Sequence, residues 1–91
     1  MGFYVYILRC ADGTYYVGQT NNLDVRVAAH QAGTAARYTR GRLPVALVFS
    51  EAQPTRGDAM RAERRIRRMP RAKKEARIRR KAGRGVRGKR R

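Results

Sequence analysis

The 91-residue chain lacks the features that stabilise secreted proteins and anchor membrane proteins. Cys10 is the only cysteine, which excludes an internal disulfide and is compatible with a reducing, cytoplasmic location. Arg9 interrupts the first apolar segment, and no long apolar segment follows it. We therefore expect neither a signal peptide nor a membrane-spanning helix. The short length predicts one small domain, and no internal repeat divides it.

Acidic residues are also scarce. The chain has 6 acidic residues against 23 lysines and arginines, a net charge of +17. This excess predicts a polyanionic partner, DNA or RNA rather than a membrane surface. Residues 71–91 hold 12 basic residues and one acidic residue, a charge of +11, and residues 1–70 hold 11 and five, a charge of +6. The expected domain, residues 1–81, is basic even without the remaining residues, 82–91, which we predict to be a disordered basic tail.

An Asp-Gly turn signal separates two strand-forming segments near the N-terminus. The predicted strands cover residues 3–9 and 15–19. A two-residue loop would place Tyr6 and Tyr16 on opposite faces of the hairpin, because side chains alternate along a strand. A three-residue loop, residues 11–13, places both phenols on one face and sets Tyr6 opposite Gly18. We predict the three-residue loop, in which Gly13 takes the left-handed conformation that this loop type needs.

Helix signals follow the hairpin. Asn21 or Asn22 can cap a helix that runs to about Gln31 and ends at Gly33. A capping-box-like start at Thr55 precedes a second helix, and a third is expected over residues 71–81. The apolar stripe of the second helix consists of Ala59, Ala62, Ile66 and Met69. Between the first two helices we expect a loop over residues 33–44. The continuous apolar run at residues 45–49 predicts a strand covered on both faces.

Three side chains on the predicted helices carry candidate chemistry, each with an ordinary alternative. Arg26 has the planar fork that suits a phosphate oxygen, although arginines are abundant here. His30, one turn further along, could stabilise the helix end or relay a proton. Glu63, at the edge of the apolar stripe, could simply pair with Arg67 or hold a divalent cation completed by water and phosphate.

The remaining candidates are two tyrosines and a basic loop. Tyr6 and Tyr16 could be ordinary strand residues, or one could activate water while the other holds a phosphate. The sequence does not assign these two roles. The predicted loop either is solvated or contacts a polyanion through Arg37, Tyr38, Arg40 and Arg42.

The two tyrosine tripeptides resemble the motifs of the GIY-YIG nuclease family. Tyr4-Val5-Tyr6 stands where the family has Gly-Ile-Tyr, and Tyr16-Val17-Gly18 stands for Tyr-Ile-Gly. The resemblance runs from about residue 3 to residue 76, and residues 37–44 are similar to the small stand-alone bacterial members. It implies an α/β fold, a three-stranded antiparallel sheet flanked by helices. It also implies phosphodiester cleavage with one divalent cation, Mg²⁺ or Mn²⁺. The residues matching the family's catalytic positions are Tyr6, Tyr16, Arg26 and His30, with Glu63 as metal ligand.

We therefore predict a metal-dependent nuclease that acts on DNA, with RNA as a possible substrate. The alternative is a non-catalytic basic protein that binds nucleic acid and associates with RNA or the ribosome. That alternative is favoured by the absence of an asparagine after Glu63, a residue that many active family members carry. A third hypothesis is a nuclease that is weak alone and depends on a targeting protein partner.

Overall fold

The computed structural model describes residues 2–90, with side chains for residues 2–81. The elements in chain order are β1 (Phe3–Arg9), β2 (Tyr15–Thr20), α1 (Leu23–Gln31), α2 (Arg37–Arg40), β3 (Ala46–Gln53), α3 (Arg56–Arg67) and α4 (Arg71–Arg90). The strands form an antiparallel sheet in the order β2-β1-β3. This arrangement confirms the predicted three-stranded antiparallel sheet flanked by helices.

The hairpin between β1 and β2 has the predicted three-residue loop. The Cys10 amide donates to the Thr14 carbonyl at 2.8 Å, and the Gly13 amide donates to the Cys10 carbonyl at 2.9 Å. Gly13 has φ +86°, the left-handed conformation that glycine adopts without strain. Tyr6 consequently pairs with Gly18 and Leu8 pairs with Tyr16. Both phenols therefore lie on one face of the hairpin.

Two small cores lie on opposite faces of the sheet. The first buries Val5, Ile7, Val17, Phe49, Ala62 and Ile66 beneath α3, and Ile78 of α4 packs against it. The second buries Tyr6, Leu8, Cys10 and Val45, and is completed by Tyr16 with Leu23 and Val27 of α1. Because β1 is the central strand, it contributes to both cores. The face that carries the tyrosines is thus the face covered by α1.

The helix starts follow their caps. The Asn22 side chain accepts from the Val25 amide, and the Thr55 side chain accepts from the Asp58 amide, so each satisfies a donor that the first helical turn leaves free. The buried residues of α3 include Ala59, Ala62 and Ile66, as its apolar stripe predicts. These caps fix where α1 and α3 begin.

Two predictions about the middle of the chain are wrong. The segment predicted as a loop contains the one-turn helix α2, which is anchored by a buried side chain, Thr39. The strand predicted to be covered on both faces is the edge strand β3, in which Leu47 is 42% exposed while Phe49 is buried. An irregularity between the partners of Ile7 and Leu8 places Phe49 opposite Ile7 and Leu47 opposite Leu8, on different faces.

α4 is longer than predicted. Its backbone is helical over Arg71–Arg90, whereas the sequence predicted an end near Lys81. Arginine and lysine, which recur throughout this segment, are good helix formers, whereas Gly83, Gly85 and Gly88 in its last part are not. The side chains of residues 82–91 lie outside the described residues, so the disordered tail remains a prediction. In the described part of the chain, no helix is long and apolar enough to cross a membrane.

Candidate active site

The site is built around Tyr6, which lies directly over Gly18. Only 1% of Tyr6 is exposed, and the residue below it on β2 has no side chain. A Cβ atom at Gly18 would lie 2.5 Å from the Tyr6 hydroxyl oxygen and 2.6 Å from the ring carbon that bears it. The glycine therefore makes room for the phenol to cross the edge strand and reach α1.

On α1 the phenol meets His30, and the histidine in turn meets Thr39. The Tyr6 hydroxyl lies 2.9 Å from Nε2 of His30, and Nδ1 of the same ring lies 2.8 Å from Oγ1 of Thr39. Thr39 Oγ1 also donates to the Ala36 carbonyl at 3.2 Å. His30 and Thr39 have no exposed surface. The result is a continuous, buried series of hydrogen bonds from Tyr6 through His30 to Thr39, which joins β1, α1 and α2.

Burial sets the charge state of the two titratable members of this series. It raises the pKa of Tyr6, with a further increase from Tyr16 and an opposing effect from the positive charge of Arg26. Burial also lowers the pKa of His30, and Arg26 lowers it further. At neutral pH the phenol is therefore protonated and the imidazole is neutral.

Tyr16 is the phenol that remains accessible. It is half-buried, and its ring centroid lies 6.5 Å from that of Tyr6 and 5.0 Å from that of His30. The ring of Tyr38 on α2 lies 5.9 Å away on the exposed side. Tyr16 therefore stands between the buried series of hydrogen bonds and the surface.

Arg26 lies at the other end of β2 and is exposed. It lines a cavity of about 160 Å³ together with Phe3, Gln19, Thr20, Asn21 and Arg56. Its charge acts on the pKa of both Tyr6 and His30. The cavity thus has two arginines at its wall and is suited to an anion.

Glu63 reaches the site from α3, on the other side of the sheet. Its side chain is 19% exposed and pairs with Arg67, whose guanidinium also donates to the Val17 carbonyl on β2 at 3.0 Å. The negative charge of Glu63 contributes to the raised pKa of Tyr6, so its field extends to the tyrosine face. The ion pair with Arg67, the ordinary alternative drawn from the sequence, is thus present, and the same carboxylate acts electrostatically on Tyr6.

The carboxylate also fits a hard divalent cation. Within residues 2–81 no three His, Cys, Asp or Glu side chains form a ready-made metal cluster. Mg²⁺, however, often takes one or two carboxylates and completes its coordination with water and substrate phosphate. Arg67 occupies one oxygen of Glu63, Oε2. A single partly buried carboxylate is thus a chemically suitable donor set.

The four residues predicted to bind nucleic acid have different surroundings. Arg37 and Arg40 are exposed on α2, and Tyr38 is 37% exposed. Arg42 instead donates to Asp12 at 3.0 Å and to the Tyr38 carbonyl at 2.8 Å, and its guanidinium lies 4.0 Å from the centroid of the Tyr38 ring. Arg42 therefore ties the α2 segment to the hairpin loop.

Sequence reasoning missed two features of this region. The sequence did not indicate a role for Thr39. A threonine between Tyr38 and Arg40 in a predicted loop does not reveal that its side chain is buried against a histidine nine positions earlier. A second cavity, of about 350 Å³, follows the edge of β2 and is lined by Tyr15, Tyr16, Val17, Tyr38, Arg67 and Lys74. Two cavities therefore flank the tyrosines along the same strand.

Comparison with known proteins identifies the family of this chain. A family model described as the GIY-YIG catalytic domain matches residues 2–81. A UPF0213 protein of Halobacterium salinarum is 51% identical over 73 residues, which cover 80% of this chain and 95% of that protein. The solution NMR structure of a UPF0213 protein from Bacillus halodurans has 46% sequence identity and a TM-score of 0.54, over 84% of this chain and 81% of the other. That of a protein from E. faecalis has 36% identity and a TM-score of 0.58, with the same coverage. The residues matched by the family model include every member of the candidate site.

Proposed function

The chain belongs to the GIY-YIG family, and on this basis we propose that it is a metal-dependent nuclease that hydrolyses phosphodiester bonds. The observation that carries the proposal is the Tyr6–Gly18 pairing, which leaves a phenol room to reach His30. Tyr16 and Arg26 lie around this pair, and the charge of Glu63 acts on it. A net charge of +17 supports a nucleic acid as the polyanionic substrate.

In the proposed reaction, water attacks phosphorus, a new P–O bond forms, and the bond to the leaving oxygen breaks. Tyr16 is the general base because it is the accessible phenol, whereas the hydroxyl of Tyr6 is buried and bonded to His30. Tyr16 first gives its own proton to solvent, its phenolate then takes the proton of the attacking water, and the leaving oxygen gains a proton from solvent. Arg26 donates to the phosphate oxygens and stabilises the charge that grows on them in the transition state. Tyr6 and His30 hold the site rigid behind Tyr16.

Glu63 would hold the divalent cation, Mg²⁺ or Mn²⁺. When bound, such a cation polarises a phosphoryl oxygen and neutralises developing negative charge. The Glu63 carboxylate would be released from the ion pair when Arg67, whose side chain is 56% exposed, turns away and gives up its bond to the Val17 carbonyl as well. Arg67 then adds a further positive charge beside the substrate.

DNA is the proposed substrate, on family grounds, and the exposed Arg37, Tyr38 and Arg40 are proposed to contact it. Arg42 would act through its contact with Tyr38. The charge alone also supports the second candidate, a basic protein that binds nucleic acid without cutting it. Under that candidate, or in a nuclease that needs a targeting partner, the isolated protein would bind DNA and leave it intact.

The test is cleavage of labelled single- and double-stranded DNA and RNA, with Mg²⁺ or Mn²⁺ and with a chelator. We expect cleavage that requires the cation, and we expect Glu63→Gln to abolish it while binding persists. Glu51→Gln is the matched control, since it makes the same charge change on the opposite edge strand, where Glu51 lies 3.9 Å from Arg77. Equal cleavage by wild type and Glu63→Gln would remove Glu63 from the mechanism. Tight binding with no cleavage of any substrate would favour the second candidate or the nuclease that needs a targeting partner.

A further inference from the structure

The hydrogen bonds around His30 can be assigned one proton at a time. Thr39 has one hydroxyl proton, and its oxygen lies 3.2 Å from the Ala36 carbonyl, an acceptor for that proton. If the hydroxyl proton stays on that carbonyl, which can only accept, Thr39 Oγ1 is an acceptor toward Nδ1 of His30, 2.8 Å away, and Nδ1 carries a proton. A neutral imidazole carries one proton, which leaves Nε2 bare and able to accept from the Tyr6 hydroxyl at 2.9 Å.

We propose that Thr39 is a positioning residue that holds His30 in the neutral Nδ1–H tautomer, so that Nε2 accepts the hydroxyl proton of Tyr6. The bond to Thr39 thereby determines the direction of the bond to Tyr6. Without it, the same ring could turn its Nε2–H toward the phenol and make Tyr6 an acceptor. The tautomer is a property of the folded protein alone, whereas its effect on catalysis depends on the proposed function.

The surroundings of His30 favour a single tautomer. Tyr6 approaches from β1, Tyr16 from β2, Arg26 from its own helix and Thr39 from α2. Tyr6 and Thr39 are the two neighbours that contact ring nitrogens, and Arg26 disfavours a second proton on the ring. In the part of the chain whose side chains are described, no buried side-chain nitrogen or oxygen lacks a partner. The network is thus complete, and removing one member leaves an unsatisfied group at His30.

His30 is the only histidine of the chain, so its ring nitrogens can be observed without ambiguity. The experiment is NMR of the full-length protein labelled with ¹⁵N in histidine, which distinguishes a protonated ring nitrogen from a bare one. We expect wild type to show a protonated Nδ1 and a bare Nε2 at neutral pH. A protonated Nε2 in wild type would overturn the proposal, and this measurement requires no variant.

Two substitutions then test the role of Thr39. Thr39→Ser keeps the hydroxyl and should keep the Nδ1–H tautomer. Thr39→Val keeps the shape but leaves Nδ1 without an acceptor, so the proton should move to Nε2 and be donated to the Tyr6 oxygen. An unchanged tautomer in folded Thr39→Val would overturn the proposal. If this variant does not fold, the wild-type spectrum, in which a protonated Nε2 would overturn the proposal, keeps it testable.

Cleavage measurements separate this proposal from the proposed function. In single-turnover reactions, Thr39→Val should cleave at least tenfold more slowly than wild type with unchanged DNA affinity, and Thr39→Ser should recover most of the rate. A changed tautomer with an unchanged rate would show that Thr39 does not support catalysis. If wild type cleaves nothing, the proposed function fails, and the NMR result still tests the tautomer.

Discussion

At the scale of single residues, Gly18 is the position where one added carbon should do most harm. An alanine Cβ would lie 2.5 Å from the Tyr6 hydroxyl oxygen, and the rigid ring above it is buried. We expect Gly18→Ala to break the bond between Tyr6 and His30, to abolish cleavage and to lower the free energy of unfolding by about 1–3 kcal/mol. Urea denaturation and the ¹⁵N spectrum of His30 measure these effects.

Gly41→Ala is the control for this substitution. A Cβ at Gly41 meets nothing within 4 Å, and the residue has φ −88°, which an alanine adopts freely. Its free energy of unfolding should change by no more than about 0.5 kcal/mol. If Gly18→Ala is equally harmless, the phenol does not need the space above the glycine.

His30 should make stability depend on pH near neutrality. Burial and Arg26 lower its pKa below the ordinary value of 6.5, so the unfolded chain binds more protons than the folded one below that pH. Stability is therefore fully present above pH 6.5 and decreases as the pH falls, by at most about 1.4 kcal/mol per pH unit.

Urea denaturation at about pH 7.5 and pH 5.5 measures this dependence. Most carboxylates stay ionised across that range, and the chain has no second histidine. Equal free energies of unfolding at the two values would show that His30 titrates alike in the folded and unfolded chain. Such a result would also remove the basis for a neutral His30 at the centre of the site.

The sequence predicts the tyrosine geometry because one local rule decides it. Once the loop has three residues, strand alternation alone places Tyr6 opposite Gly18 and on the same face as Tyr16. The surroundings of His30 could not be predicted in this way. Its partner Thr39 lies in a segment without apolar periodicity, and their contact depends on how α1 and α2 pack together.

At the scale of elements, β1 and β2 are determined by local sequence rules, whereas the position of β3 depends on tertiary packing. Turn chemistry and caps are encoded within a few residues, so the hairpin and the starts of α1 and α3 follow the sequence closely. The apolar run at residues 45–49 does not reveal that β3 is an edge strand or that its register shifts beside Leu47. Edge position is a property of the assembled sheet, and periodicity alone does not determine it.

The C-terminal part of α4 should affect binding and leave the chemical step unchanged. Residues 82–91 add five positive charges, and every proposed catalytic residue precedes position 64. We expect replacement of Arg84, Arg87, Lys89, Arg90 and Arg91 by glutamine to flatten the dependence of log affinity on log salt. Each lost phosphate contact should change that slope by about 0.9 on duplex DNA.

Salt titrations of DNA binding measure the slope, and single-turnover cleavage at saturating protein measures the chemical step. Replacing the exposed arginines at positions 61, 64 and 65 of α3, with Arg68 at its C-terminal cap, gives a comparison for charge on a different element. An unchanged slope would mean that the last ten residues do not touch the nucleic acid. A large loss of rate at saturation would mean that they help to build the site.

At the scale of the whole molecule, the sheet separates structural packing from chemistry. The core beneath α3 and α4 contains no titratable side chain among its buried members, whereas the face beneath α1 contains Tyr6 and His30. Glu63 projects from the first side and acts on the second across the edge of β2. The free edge of a small sheet is thus where the candidate groups of both layers can meet one substrate.

The ion pair between Glu63 and Arg67 implies an order of assembly. In the free protein the carboxylate already has a counter-ion, and the net charge of +17 repels divalent cations. A bound polyanion cancels that repulsion, gives Arg67 an alternative partner and offers phosphate oxygens as ligands. We expect Mn²⁺, followed by electron paramagnetic resonance, to bind weakly to the protein alone and more tightly when a non-cleavable oligonucleotide is present.

Glu63→Gln with the same oligonucleotide is the reference, because DNA itself binds Mn²⁺. Equal Mn²⁺ binding by the two complexes would contradict the expected order. By linkage, a nucleic acid that strengthens cation binding must itself be bound more tightly in the presence of the cation, by the same factor. Arg67 would then act as an internal counter-ion that neutralises Glu63 until the cation and the nucleic acid bind cooperatively.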